Sequence, residues 1–247
     1  MKRNDRFLSN ARYEILEESN GDCFIKDNVK NKYYFKQKFY ASNRMDFENV
    51  MILNWNMKDT IYLLFIILSI IFAMIIVSYL DDIFKVKMSI YMMFQSFVFL
   101  CINLILHETG HSITLKYFGK KRGFYKFKFH FIFPTISVDT SECYLLPKFE
   151  KICVFYSGIM VNLLFCGIVL ICFHVHSYLL LSVIPVIFFN LFPFGGVKTD
   201  GYHILVTTLL NRHNYIYKES RIQKILKYIF YIFSIIIIFK YLNNFIF

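Results

Sequence analysis

Residues 88–111 read MSIYMMFQSFVFLCINLILHETGH, and this stretch decides the class of fold. Residues 88–106 carry no charged side chain, and an apolar run of this length is typical of a helix that crosses a membrane. The run ends in His107-Glu108-Thr109-Gly110-His111, which is an H-E-x-x-H motif. We therefore expect a mainly α-helical membrane protein whose chemistry lies at the edge of a membrane-spanning helix.

The H-E-x-x-H motif has a direct chemical reading. Residues four apart lie on one face of a helix, so His107 and His111 can offer their imidazoles to one zinc ion while Glu108 acts as general base on a water molecule. Ionisable groups inside an apolar span can equally form a proton relay or a buried pair in a transporter or a membrane chaperone. The motif by itself leaves both readings open.

The composition extends the membrane prediction to the whole chain. Hydrophobic residues make up 57% of it, aromatic residues 20%, and the mean hydropathy is +0.46, which is too apolar for a soluble domain of this size. We predict a helical bundle with about five spans and divide the chain into a cytoplasmic N-terminal segment, 1–58, and a membrane domain, 59–247. The five predicted spans are 61–80, about 89–111, 152–173, about 177–194 and about 228–247.

The distribution of lysine and arginine predicts the orientation. These residues concentrate in 1–58, 116–151 and 198–227 and are sparse in 81–88 and 174–176. The positive-inside rule places the three rich segments in the cytoplasm, which gives a multi-pass integral membrane protein with a cytoplasmic N-terminus. The net charge of +11 is then a topology signal with affinity for the lipid bilayer, and no nucleic-acid partner is expected. Residues 1–58 do not have the pattern of a cleavable signal peptide.

Two segments outside the spans predict β-structure. The apolar residues 23–25 and 32–35 flank a polar turn at 26–31, which indicates a hairpin. Residues 124–133 alternate between phenylalanines and polar side chains, which predicts a strand closed by Pro134. This strand can add a substrate strand to its edge or rest its aromatic face in lipid.

A third zinc ligand has a candidate near the end of the fourth predicted span. Asn190-Leu191-Phe192-Pro193 is followed by Asp200-Gly201 at the cytoplasmic end, where the second span also places His107 and His111. Any element that the fold brings alongside can supply this ligand. Asp200 can instead be a helix N-cap, and the rival ligands are His203, Glu142 and Glu150. We expect His203 to be an exposed surface histidine.

These motifs together resemble the site-2 protease family of intramembrane zinc metalloproteases. The family carries H-E-x-x-H on one transmembrane helix and an Asn-x-x-Pro…Asp-Gly motif on a later one, and this chain has both. Gly158-Ile159-Met160-Val161-Asn162 also resembles the Gly-x-x-x-Asn element of the intervening span. The matches cover a catalytic core of about 89–210.

The resemblance implies a Zn²⁺ metalloendopeptidase. His107, His111 and Asp200 would be the zinc ligands, Glu108 the general base and acid, and Asn190 a residue that positions the substrate or the oxyanion. The substrate would be a membrane-associated peptide or protein. Two departures concern the loop before the ligand: the spacing from Pro193 to Asp200 is longer than usual in the family, and Thr199 replaces its usual leucine.

The size of the chain narrows the subtype. Residues 112–156 leave no room for a PDZ domain, so the chain resembles compact bacterial members found beside peptide-export and bacteriocin-maturation systems. This implies maturation of a bacterial peptide, with peptide-export machinery as a partner. Regulated cleavage of a membrane-bound transcription or sigma-factor inhibitor is the alternative that the sequence leaves open.

Overall fold

The computed structural model of the chain describes residues 5–41, 47–80, 89–130, 133–173, 178–191, 199–210 and 228. Its α-helices are Met57–Ser78 (α1), Ile90–Tyr117 (α2), Lys148–Cys172 (α3), Leu180–Leu191 (α4) and Asp200–Leu210 (α5). Its strands are Asp5–Ser9 (β1), Tyr13–Glu17 (β2), Cys23–Asp27 (β3), Lys32–Lys36 (β4), Asn49–Leu53 (β5), Tyr125–His130 (β6) and Phe133–Val138 (β7). A short 3₁₀ turn, Ser141–Leu145, precedes α3.

Three helices of the described residues are long and apolar enough to cross a membrane, namely α1, α2 and α3. They coincide with the first three predicted spans. Helix α4 has 12 residues and covers about 18 Å at 1.5 Å per residue, which is shorter than the predicted span 177–194 and than a hydrocarbon core of about 30 Å. The fifth predicted span lies outside the described residues except for Tyr228. The mainly helical fold with added β-structure is confirmed, whereas the number of five spans stays a prediction.

The chain forms two compact units. Unit 1 combines Met1–Ile66 with His111–Val154, and unit 2 combines Ile67–Gly110 with Phe155–Phe247. Helices α1, α2 and α3 each run continuously through a boundary between the two residue sets. The predicted division into 1–58 and 59–247 stays a prediction.

Unit 1 contains an antiparallel five-stranded sheet in the order β4-β3-β2-β1-β5. The predicted hairpin of residues 23–35 is confirmed as β3 and β4, with Phe24 opposite Phe35. The core of the sheet is apolar and buried, and consists of Leu8, Ile15, Cys23, Ile25 and Ala41. Strands β1, β2 and β5 have the same length of five residues but were not predicted, because their place in the sheet is set by the strands beside them.

Buried ion pairs tie this sheet to the residues around the start of α3. Lys26 of β3 lies 2.6 Å from the Glu142 carboxylate, which also accepts a hydrogen bond from the Tyr33 hydroxyl at 3.1 Å. Lys151 is buried, lies 3.7 Å from the Glu18 carboxylate, and packs its ammonium against the Phe24 ring. Removal of one partner of such a pair leaves a buried charge uncompensated, so these contacts hold the first turn of α3 in place.

The predicted strand after α2 is present as β6, and it pairs with β7 in a two-stranded antiparallel sheet. The prediction that Pro134 ends the strand is wrong, because Pro134 lies inside β7 opposite Phe129. A proline is tolerated there because each strand of a two-stranded sheet has an edge that needs no donor.

The carboxylate of Asp139, just after β7, accepts hydrogen bonds from Lys126 and Ser141 at 2.6 Å each. Burial acts to raise the pKa of Asp139, but these two hydrogen bonds hold the pKa below its usual value.

Unit 2 packs the apolar halves of α1, α2 and α3 with α4. Its buried residues include Phe99 of α2, Ile159 and Leu163 of α3, and Val183 of α4. The Ser69 and Tyr156 hydroxyls pair at 2.8 Å, which satisfies two polar groups within the apolar surroundings. This packing sets the approach of α2 to α3 at the position of the H-E-x-x-H motif.

Candidate metal centre

The two histidines of the motif lie on one continuous helix. Helix α2 has no glycine or proline before Gly110, and His107 and His111 are 3% and 4% exposed. The boundary between the two units falls between Gly110 and His111, inside α2. The relation of the two imidazoles is therefore set by one turn of helix, as the sequence predicted.

Within unit 2, the carboxylate of Asp200 lies beside the imidazole of His107. Nε2 of His107 lies 2.9 Å from Oδ2 of Asp200, and the two side chains are 4% and 17% exposed. Two zinc ligands at about 2.0–2.1 Å in tetrahedral geometry are roughly 3.3 Å apart, so a shift of a few tenths of an ångström would seat a zinc ion between these atoms. The structure thus brings the third ligand expected from the sequence beside the first histidine of the motif.

The second histidine has a defined tautomer. Nδ1 of His111 lies 2.7 Å from the backbone oxygen of Val154 on α3. A carbonyl oxygen only accepts, so Nδ1 carries the proton and Nε2 keeps its lone pair for a metal. Protein zinc sites use this arrangement, in which the second ring nitrogen of a ligating histidine donates to a carbonyl or carboxylate.

The first histidine has an amide partner. The side-chain amide of Asn162 on α3 lies 3.3 Å from Nδ1 of His107, and Asn162 is fully buried. Its Oδ1 has no hydrogen-bond partner among the described residues. The two ends of an asparagine amide are interchangeable by a flip, and with Oδ1 toward the ring it would accept the Nδ1 proton and leave Nε2 for the metal.

Two glycines make room for the motif. A Cβ atom at Gly158 of α3 would stand 2.5 Å from Cε1 of His107, and one at Gly110 would stand 2.9 Å from the backbone oxygen of Ser157. Real Cβ atoms do not approach this closely, so a side chain at either position would force the neighbouring atoms to shift. The Gly158-x-x-x-Asn162 element thus meets His107 at two positions. Gly158 leaves space for the imidazole, and the Asn162 amide lies within hydrogen-bond distance of it.

The start of α5 presents Asp200. Thr199 precedes the helix, and its hydroxyl accepts a hydrogen bond from the Tyr202 backbone N–H at 3.4 Å. Thr199 therefore takes the capping position that was considered for Asp200, whose carboxylate turns to His107 instead. A Cβ at Gly201 would overlap the backbone oxygen of Leu191, so glycine lets the start of this helix lie against the end of α4.

The remaining sequence candidates have different surroundings. The expectation of an exposed His203 is wrong: it is 8% exposed and stacks on Phe155 with ring centroids 4.7 Å apart. Glu142 is engaged by Lys26 and Tyr33 in unit 1. Asn190 is half-buried near the end of α4, and its predicted role toward substrate stays a prediction.

The donor set fits zinc. In the part of the chain that the structure describes, the His, Cys, Asp and Glu residues that could hold a metal together are His107, His111 and Asp200. Two imidazoles and one carboxylate are a zinc set that leaves a fourth position for water. Glu108 is half-buried and adjacent to His107 on α2, where a general base is required. Sequence reasoning missed the backbone oxygen of Val154, because a main-chain acceptor has no signal in the side-chain pattern.

Comparison with known proteins gives one informative relative. The chain is 30% identical over 212 residues to YydH of Bacillus subtilis (strain 168), which is assigned by name as a peptide zinc metalloprotease, and the match covers 80% of this chain and 81% of YydH. No family model matches the chain. No solved structure matches it significantly.

Proposed function

The chain belongs to the peptide zinc metalloprotease family that includes YydH, and from this premise we propose that it hydrolyses a peptide bond at or within the membrane in the manner of the site-2 proteases. The observation that carries the proposal is the 2.9 Å approach of His107 Nε2 to Asp200 Oδ2. It joins the H-E-x-x-H helix to the Asp-Gly element, which are the two motifs that resemble the site-2 proteases.

Each residue of the centre has a role in this reaction. His107, His111 and Asp200 would hold Zn²⁺, which when bound polarises a carbonyl and lowers the pKa of a bound water toward about 7. Glu108 takes the proton of the attacking water and delivers it to the amine that leaves. Asn162, with its amide oxygen turned to the ring, and the Val154 backbone oxygen would hold the two imidazoles in the tautomer that leaves Nε2 available to a metal.

The position of the centre supports cleavage at the membrane edge. The motif lies in the C-terminal half of α2, after an apolar stretch, and α1, α2 and α3 are each long and apolar enough to cross a bilayer. Both histidines are buried, so a substrate backbone has to become extended to expose its carbonyl to them. A short peptide at the membrane surface meets this requirement more readily than a folded domain.

The substrate class follows from the relative and from the size of the chain. YydH is named for a peptide substrate, and this chain is alignable with 81% of it. Residues 112–156 contain the end of α2, the β6–β7 pair, the 3₁₀ turn and the first turns of α3. The described part of this segment therefore leaves no stretch long enough for a separate recognition domain. We therefore favour maturation of a bacterial peptide, with peptide-export machinery as partner, over cleavage of a sigma-factor inhibitor.

The test uses the purified full-length chain in lipid nanodiscs. Zinc is measured by metal analysis, and short bacterial precursor peptides are incubated with the protein and their new termini read by mass spectrometry. The proposal requires about one zinc per chain and cleavage that disappears both with a chelator and in Glu108→Gln. Cleavage that survives in Glu108→Gln, or a chain that binds no zinc, would contradict it.

A further inference from the structure

Strand β5 is an exposed apolar edge of the sheet in unit 1. It stands last in the order β4-β3-β2-β1-β5, and its residues Val50, Met51 and Ile52 are 58%, 59% and 63% exposed. No residue of β5 is charged, whereas the opposite edge strand, β4, has exposed lysines at both ends. Proteins commonly protect edge strands with charges, so an apolar edge that no other described strand pairs with indicates a partner.

A cavity lies beside this edge, on one face of the sheet. Its volume is about 490 Å³, and its lining includes Met51 and Leu53 of β5 together with Phe7 of β1. Phe7 is the cross-strand neighbour of Met51, and residues two apart on a strand point to the same face. A strand paired to β5 would direct alternate side chains toward this cavity.

The cavity also carries an excess of positive charge. Its ionisable lining residues are Lys58, Lys120 and Glu150. The Lys120 ammonium packs 4.2 Å from the centroid of the Phe7 ring, and burial lowers its pKa although nearby carboxylates, Glu14 first among them, act to raise it. A partly desolvated cation of this kind gains from a further anionic group.

We propose that the β5 edge and the adjoining cavity form a docking site for an extended peptide with acidic side chains. The peptide would add a sixth strand to the sheet through main-chain hydrogen bonds, and an alternate carboxylate would enter the cavity toward Lys58 and Lys120. The identification of this peptide as a substrate rests on the proposed peptidase function. The site would bind a part of the substrate that is distinct from the bond that is cleaved.

A peptide fits this edge better than lipid does. In an antiparallel pair, alternate residues of β5 direct their N–H and C=O groups away from β1. Acyl chains offer these groups no hydrogen-bond partner, and leaving them unsatisfied in hydrocarbon is strongly unfavourable. A peptide strand added to β5 satisfies these N–H and C=O groups, and it also covers Val50 and Ile52.

The test measures binding without cleavage. The full-length Glu108→Gln protein in phosphatidylcholine nanodiscs is titrated, by fluorescence anisotropy, with a labelled peptide of alternating valine and glutamate and with its lysine counterpart. We expect the glutamate peptide to bind about 10-fold more tightly, and the double variant Lys58→Glu/Lys120→Glu to reverse that order. Lys32→Glu on β4 is the matched control and should leave the order unchanged.

A third peptide tests the backbone part without altering the protein. The glutamate peptide with alternate amides N-methylated cannot pair with a strand and should bind at least about 10-fold more weakly. Equal binding of the methylated peptide, or an unchanged order of peptides in the double variant, would overturn the proposal. Loss of binding to phosphatidylglycerol vesicles in the double variant, with peptide binding unchanged, would instead make this face a lipid contact. Zinc content and cleavage are measured separately, so a failure here is distinguishable from a failure of the proposed function.

Discussion

Gly158 faces the imidazole of His107 so closely that a Cβ atom at position 158 would stand 2.5 Å from Cε1 and 2.6 Å from Nε2. Gly158→Ala is therefore expected to displace the ring and weaken zinc binding by about 10–100-fold, the range seen when groups that orient zinc ligands are altered. Competition with a zinc-sensitive dye measures the affinity. Gly167→Ala on the same helix is the matched control, since its Cβ would meet Phe72 and no ligand. Gly167→Ala should lower stability and keep the zinc affinity of the folded protein, and equal zinc affinities in the two variants would refute this view of Gly158.

Asn162 holds Nδ1 of His107 at 3.3 Å, which predicts a role in metal affinity beyond packing. Asn162→Leu should weaken zinc binding by about 10–100-fold, because the imidazole loses the partner that fixes its tautomer. Asn103→Leu is the control: Asn103 is equally buried, bonds the Phe99 backbone oxygen at 3.0 Å, and lies one turn before His107. If both asparagine variants bind zinc like the wild type, Asn162 only joins the helices.

Asp200→Ala should lower zinc affinity by more than about 100-fold, because it removes a ligand and not an outer group. His203→Ala should retain zinc and lose stability, since His203 stacks on Phe155 and is buried. Metal analysis of both purified variants, beside their thermal unfolding, gives the comparison. If Asp200→Ala retains zinc and His203→Ala loses it, His203 is the zinc ligand and Asp200 is not.

Glu108→Gln should keep zinc and abolish cleavage. The amide preserves the size of the side chain beside His107 and removes the base that takes the proton from water. The expected loss of turnover is at least about 100-fold, with zinc stoichiometry unchanged. Wild-type turnover in this variant would require another base.

The lysine and arginine distribution predicts that the candidate metal centre lies near the cytoplasmic face of the membrane. In a cysteine-free background, a cysteine at Lys121 should resist an impermeant thiol reagent in intact cells, and one at Lys85 should react. Lys121 is exposed in the structure, so its protection would report the membrane and not burial in the protein. The reverse labelling pattern would place the centre outside.

Local sequence determined the three long apolar helices and the placement of two candidate metal ligands on one of them. The uncharged run before His107 predicts the helix from its hydropathy, and the spacing of His107 and His111 places them on one face whatever the rest of the chain does. The β3–β4 hairpin was readable for the same reason, since its turn and its alternation are local. Strands β1, β2 and β5 were not, because their place in the sheet depends on pairing with the strands beside them.

Tertiary structure decided everything that joins distant residues. Motif resemblance suggested Asp200, and its carboxylate reaches His107 from the start of α5, which Thr199 caps and which Gly201 lets lie against Leu191. The buried state of His203, the acceptor at Val154 and the contact of Asn162 with His107 likewise arise from the packing of α2 and α5 against α3. Hydropathy and helical periodicity act within one segment, whereas a metal centre needs atoms from several segments placed within a few ångströms, and only packing sets those distances.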